Sequence, residues 1–146
     1  MAILRKNDVV TERPVIIVLY GTPGTGKTSL ATTAESPMLI DTDRGFDRAV
    51  QRPDIVVTAS QWEDIYNEEI IGKYVIDNGV QVWKPGLISE CKTIVVDTAK
   101  AMLDDYLSAY AIKLDYKLEK NTLKRYGLMV ELFKHFVSVL RANESD

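Results

Sequence analysis

This chain has little of the chemistry that cysteine and histidine supply. Its 146 residues hold one cysteine, Cys91, and one histidine, His135. A single thiol excludes an internal disulfide and any zinc site built on several cysteines. Cys91 reads as a small, partly buried side chain beside a strand. His135 has no Cys or acidic cluster in metal-ligand spacing, so it reads as structural or solvent-facing. No run of eighteen apolar residues is present, which excludes a helical membrane span. The opening residues Met1-Ala2-Ile3-Leu4-Arg5-Lys6-Asn7-Asp8 lack the apolar core and cleavage site of a secretory leader, and a cytoplasmic protein is expected. Positive charge is not in excess: 18 Lys and Arg against 21 Asp and Glu leave a net charge of −3, which excludes the global basic field that drives nucleic-acid binding. Repeats and low-complexity tracts are absent. What remains, 46% hydrophobic and 27% charged residues, is the composition of one globular domain over residues 1–146.

Against that background one octet stands out. Gly21-Thr22-Pro23-Gly24-Thr25-Gly26-Lys27-Thr28 is a complete phosphate-binding loop, with Gly21, four intervening residues, then Gly26, lysine and a hydroxyl residue. The apolar run Val15-Ile16-Ile17-Val18-Leu19-Tyr20 leads into it and reads as a strand, and Lys27 to Ala34 reads as the following helix. Strand, glycine loop and helix let backbone N–H groups and the positive helix end face a phosphate. Gly21, Gly24 and Gly26 permit backbone angles that a Cβ would forbid, and Pro23 stiffens the loop. Lys27 is placed to reach the β- and γ-phosphates. Thr28 is placed to give a hydroxyl oxygen to Mg²⁺, which prefers hard ligands. Ser29 either touches the α-phosphate or is only a helix residue. The ligand expected is ATP or another nucleoside triphosphate, with Mg²⁺.

Beyond the loop, strand and helix signals alternate, which predicts a mostly parallel sheet flanked by helices. Met38-Leu39-Ile40 is a short buried strand ending at Asp41-Thr42-Asp43-Arg44-Gly45. Asp54 to Thr58 is another. Ser60 reads as the cap of a helix from Gln61 to about Ile71, with Glu63 completing a capping box. Gly79 to Ser89 is turn-rich and compatible with a hairpin. Thr93-Ile94-Val95-Val96-Asp97 is a strong strand signal. Two helices close the chain, with apolar faces at Met102, Leu103, Tyr106, Leu107, Tyr110 and Leu114, and at Leu123, Val130, Phe133, Val137 and Leu140.

A phosphate loop alone implies binding; hydrolysis also needs a metal-holding carboxylate and a group that orients water. Asp97, at the end of an apolar strand, has the form of a Walker B carboxylate; it can also cap the helix starting near Ala99. Asp41 and Asp43 follow another strand. In a parallel sheet the strand C-termini share one edge, where ligands bind, so Asp43 is the candidate for polarising the attacking water. A cap or a salt bridge to Arg44 or Arg48 is the alternative. From Lys113 to Arg125 five cations (Lys113, Lys117, Lys120, Lys124, Arg125) face two anions (Asp115, Glu119), with Tyr116 and Tyr126 among them. Basic charge interleaved with aromatics fits a single-strand contact; a solvated helix face with ordinary i,i+4 pairs is the alternative, and the ordinary one.

The segments Met38-Leu39-Ile40-Asp41-Thr42-Asp43, Phe46-Asp47-Arg48-Ala49, Ile55-Val56-Val57 and Thr93-Ile94-Val95-Val96-Asp97-Thr98, with the phosphate loop, resemble the RecA-like P-loop ATPase core. They are most similar to the small phage-encoded ATPases linked to single-strand annealing and recombination. The resemblance covers most of residues 14 to 142, and only the phosphate loop within it is highly specific. It implies Asp43 in place of the water-activating glutamate, one methylene shorter, Asp97 as the metal carboxylate and Thr98 as the small hydroxyl residue beside it. It also places Lys113 to Asn121 where the first DNA-contacting loop falls, and it implies a homo-oligomer in which a neighbour supplies an arginine or lysine; Arg125 and Arg141 are the positions available. In that family another strand lies between the phosphate-loop strand and the Asp97 strand. Here the chain ends at Leu140-Arg141-Ala142-Asn143-Glu144-Ser145-Asp146, so a RecA-like core lacking its C-terminal strands is expected.

Three functions therefore stand side by side: a Mg²⁺-dependent ATPase acting in phage DNA recombination or replication, a nucleotide or small-molecule kinase gripping an acceptor through Arg44, Arg48 and Arg52, and a nucleotide-binding module without turnover.

Overall fold

The computed structural model describes residues 15–142, the side chain of Arg48 excepted. The first residues, read above for a leader, and residues 143–146 lie outside that range.

A three-stranded parallel sheet forms the frame. Its strands are β1 (Pro37–Asp41), β2 (Ile55–Thr58) and β5 (Thr93–Asp97), in the order β2-β1-β5. Central β1 carries Met38, Leu39 and Ile40, all fully buried, as expected of a parallel strand covered on both faces. The register sets Ile40 against Val57 and Val96, and Asp41 against Thr58 and Asp97. Parallel pairing therefore brings the C-terminal ends of three strands to one edge, and with them Asp41 and Asp97.

Residues 15–20 do not behave as expected. They form no ladder with any described strand, and their side chains are between 41% and 93% exposed. The apolar, β-branched sequence has the propensity of a strand, but propensity expresses fit to a neighbour. Among the described residues the sheet stops at β5, so the run has nothing to pair with. The helix after the loop is also shorter than its sequence suggests: α1 covers Lys27–Ala31, and Thr32, Thr33 and Ala34 close it in turns to Thr28, Leu30 and Ala31 carbonyls.

The segment expected as one helix from Gln61 to Ile71 is two single turns, α2 (Trp62–Ile65) and α3 (Glu68–Ile71). Asn67 causes the break. Its side-chain oxygen accepts from the N–H groups of Glu69 and Ile70 at 3.0 Å, and its amide donates to the Glu63 and Asp64 carbonyls. It therefore ends one turn and starts the next. The cap itself is Gln61, not Ser60, and the reciprocal acid is Asp64, not Glu63.

The turn-rich stretch is an antiparallel hairpin, β3 (Gly72–Asp77) and β4 (Val80–Pro85). It turns on Asn78-Gly79, both at positive φ (49 and 79), the pair favoured in two-residue hairpin turns. Its start lies seven residues before the expected one. Tyr74 and Trp83 pack edge-to-face across the strands at 4.9 Å.

After β5 the chain runs through a helical turn, α4 (Ala99–Ala101), a π-helical segment (Met102–Leu107) and α5 (Ser108–Leu114). A short 3₁₀ turn at Tyr116–Glu119 leads to α6 (Thr122–Ala142). Met38 and Ile40 pack in one cluster with Trp62, Ile65, Met102 and Phe136, so the core sits between the sheet and the C-terminal helices. On α6 the buried positions are Met129 and Phe136. Leu123, expected in the stripe, is exposed, as is Leu114 on α5. The buried face of α6 is thus rotated toward Phe136, which meets Trp62 edge-on at 5.3 Å. His135 contacts Tyr66, Nε2 to Oη at 3.0 Å, a structural role. Cys91 is half-buried, and burial pushes its thiol up from the ordinary value, as expected of an inert small side chain.

Candidate functional site

Two stretches distant in sequence meet at the sheet edge. The first is the phosphate loop. Gly24 and Gly26 adopt left-handed backbone (φ 81 and 83), and Gly26 is the N-cap of α1. Only glycine holds these angles without strain, so the sequence Gly-Thr-Gly-Lys is needed for the chain to fold back before the helix. Thr25 Oγ1 donates to the Thr22 carbonyl at 2.9 Å, and Lys27 Nζ donates to the Gly21 and Thr22 carbonyls at 3.0 and 2.9 Å. The lysine thus lies across the mouth of its own loop, which concentrates positive charge where a phosphate would sit. Ser29 Oγ accepts from the Val50 N–H at 3.3 Å, joining α1 to the loop that precedes β2.

The second stretch is the end of β5. Asp97 is partly buried, and its Oδ2 accepts a short hydrogen bond from Thr28 Oγ1. Asp97 does not cap the following helix. That task falls to Thr98, whose side chain accepts from the Ala101 N–H. The carboxylate is therefore turned toward the phosphate loop, and the peptide that follows it is cis.

The acidic loop after β1 divides its labour. Asp41 is 1% exposed. One carboxylate oxygen accepts from the N–H groups of Asp43 (3.3 Å) and Gly45 (3.0 Å), the other from Phe46 (3.2 Å). A buried carboxylate with three backbone donors is satisfied where it is, so Asp41 shapes the loop. Asp43 is the exposed member of the pair, and it sits past the strand end, on the edge that also holds Asp97. Arg52 stacks over the Phe46 ring, 5.2 Å from guanidinium to centroid.

Two residues of this edge carried no sequence signal. Thr42, between the acids, bonds to the Thr98 backbone through its hydroxyl and to the Asp97 carbonyl through its own N–H. Tyr106 Oη donates to the Thr42 and Ala59 carbonyls at 2.7 and 3.0 Å. Burial raises its phenol above the ordinary value, so it remains a donor across neutral pH. Tyr106 appeared in the sequence only as part of an apolar helical face; its hydroxyl is what reaches the sheet.

The basic segment Lys113–Arg125 spans the end of α5, the 3₁₀ turn and the start of α6, so it is not one helix face. Lys113 pairs with Glu63, which holds the lysine above and the glutamate below their ordinary values. Asp115 caps the Lys117 N–H at 3.0 Å, and Arg125 reaches the Glu119 carbonyl at 3.4 Å. Lys117, Lys120, Lys124, Tyr116 and Tyr126 are exposed. Arg141 is exposed near the end of α6.

The donor set at the loop, one carboxylate and one hydroxyl on adjoining side chains, is a hard-oxygen set of the kind that Mg²⁺ uses together with phosphate and water. A glycine-rich loop bearing a lysine, set against a strand-end aspartate, defines a P-loop nucleotide-binding domain. Residues 13–144 match the AAA domain family, and the chain belongs to it. Neither the curated proteins nor the solved structures gave a match. The AAA assignment makes this a P-loop ATPase-type domain that binds nucleotide, and the parallel sheet with flanking helices agrees with that class. Among the described residues, no helix is long and apolar enough to cross a membrane.

Proposed function

We propose that this chain is a Mg²⁺-dependent ATPase with a RecA-like core, working on DNA in phage recombination or replication. The observation that carries the enzymatic part is the Thr28–Asp97 hydrogen bond, which closes 69 residues of sequence and joins the two motifs that nucleotide hydrolysis requires. Lys27 would leave its loop carbonyls for the β- and γ-phosphates, exchanging neutral acceptors for charged ones. Bound Mg²⁺, held by Thr28 and Asp97, would neutralise charge developing on the phosphates. Asp43, kept at the strand edge by the Asp41-centred loop, would accept a hydrogen bond from the attacking water and orient it. The remaining chain keeps these groups at fixed spacing, which is the larger part of catalysis in phosphoryl transfer.

The DNA part rests on the sequence resemblance and on the exposed lysines and tyrosines of residues 113–126, with a homo-oligomer supplying the trans-acting cation. The test is Mg-ATP hydrolysis by this chain with and without single-stranded DNA. Turnover stimulated by DNA is expected. Phosphate transfer to nucleoside monophosphates would instead establish a kinase, and tight binding with no turnover under either condition would leave a nucleotide-binding module.

A further inference from the structure

We propose that Thr42 is a positioning residue for the metal-holding pair, fixing the Asp97–Thr98 peptide and so holding the Asp97 carboxylate against Thr28. The inference rests on the Mg²⁺ reading above. Thr42 is 6% exposed and satisfies three backbone groups on the far side of the β1–β5 seam. Its N–H donates to the Asp97 carbonyl at 2.7 Å. Its Oγ1 accepts from the Thr98 N–H at 2.7 Å and donates to the Thr98 carbonyl at 3.0 Å. One residue thereby sets the planes of the peptides on both sides of Thr98, leaving the Asp97 side chain little angular freedom. Thr42 is held in turn: its carbonyl accepts from Tyr106 Oη at 2.7 Å, and the same hydroxyl reaches Ala59 past the end of β2. It also separates Asp41, which shapes the acidic loop, from Asp43. A threonine is suited to the task because its β-branch restricts χ1, keeping the hydroxyl aimed at the peptide.

The Thr42→Val substitution keeps the shape, removes the hydroxyl and leaves the Thr98 N–H and carbonyl without their partner. Affinity for a fluorescent ATP analogue is measured in EDTA and across a Mg²⁺ titration, with turnover followed in parallel. In EDTA, where loop and lysine alone hold the phosphates, affinity should stay within about twofold of the parent. The Mg²⁺ concentration for half-maximal binding and turnover should rise about tenfold or more, the usual scale for losing a group that orients a metal ligand. Thr42→Ser keeps the hydroxyl but frees χ1, and should restore most of the response, leaving a shift of about threefold. A Thr42→Val chain with the parent's Mg²⁺ half-saturation overturns the proposal. If that chain does not fold, the serine variant decides: a shift of about threefold supports the role, and none overturns it. A parent chain that gains nothing from Mg²⁺ overturns the metal reading itself, which is a distinct result from a parent gain that Thr42→Val retains.

Discussion

Residues 15–31 and the β1–β5 edge each supply half of the candidate site, and they are built in opposite ways. The phosphate-loop arm holds itself together locally. Within the loop the hydrogen bonds run over three to six residues, from Thr25 to Thr22 and from Lys27 to Gly21 and Thr22; only Thr28 and Ser29, at the start of the helix, reach distant Asp97 and Val50, and the apolar residues before the loop stay exposed. The sheet edge does the reverse. Thr98, Thr42, Ala59 and Tyr106 are joined across 47 to 64 residues of sequence, and Met38, Leu39 and Ile40 of the strand beneath them are fully buried. Local bonds suffice for binding a phosphate, because the ligand is met by backbone groups within one turn of chain. Placing a carboxylate against a metal requires long-range order, which only a packed sheet provides.

The largest effect expected tests the edge. Asp43→Asn should retain nucleotide binding and lose turnover by about 10²–10⁴-fold, the range for removing a positioned proton acceptor; retained turnover in a steady-state assay would move that role elsewhere. Next comes the packing that carries the edge. Ile40→Ala should cost about 2–5 kcal/mol of stability in urea unfolding, as for other fully buried isoleucines. On the loop side, Lys27→Ala should weaken triphosphate binding by about 2–5 kcal/mol, because phosphate charge is left unpaired. Isothermal titration reads this directly, and unchanged affinity would remove Lys27 from the site.

A smaller effect concerns the cap beneath the core. The Asp64 carboxylate accepts from the Ser60 N–H and hydroxyl and from the Gln61 backbone and side-chain amides, and these hold it below its ordinary value of 3.8. Its contribution is present above that value and is lost as pH falls through the lower folded-state value. Asp64→Ala should therefore cost about 1 kcal/mol at pH 7, with the difference between variant and parent shrinking in unfolding curves taken below pH 3.8.

The smallest effect is the sharpest test of the contrast between the two halves. Ile17→Ser lies on the exposed arm and should change stability by no more than about 0.5 kcal/mol. A loss of several kcal/mol in thermal unfolding would mean that the arm is paired in solution, and the two halves would then be built alike.

Much of the site could be read from residue order, and particular residues show where that reading stops. Gly24 and Gly26 announce the loop because their left-handed angles strain a residue with a Cβ, and Asp97 announces itself by ending an apolar strand. Asn67 splits a helix that the apolar spacing of residues 61–71 does not interrupt, since its side chain competes for backbone groups at a single point. On α6, Phe133 and Leu140 of the expected stripe do pack against the core, but Leu123 is exposed and the buried positions are Met129 and Phe136, because the partner surface at Trp62 chooses among neighbouring apolar stripes.

By itself, the amino-acid order determined the phosphate loop, the parallel strands β1, β2 and β5, and the two helical segments that close the chain. These follow from φ preferences and hydrophobic periodicity, which act over a few residues. Only the tertiary structure decided that Val15–Tyr20 pairs with no described strand, that Thr28 meets Asp97, that Asp41 turns inward while Asp43 stays exposed, and that Thr42 and Tyr106 hold the edge. Each of these depends on which groups the sheet register brings together, and register is settled by the packing of the whole domain.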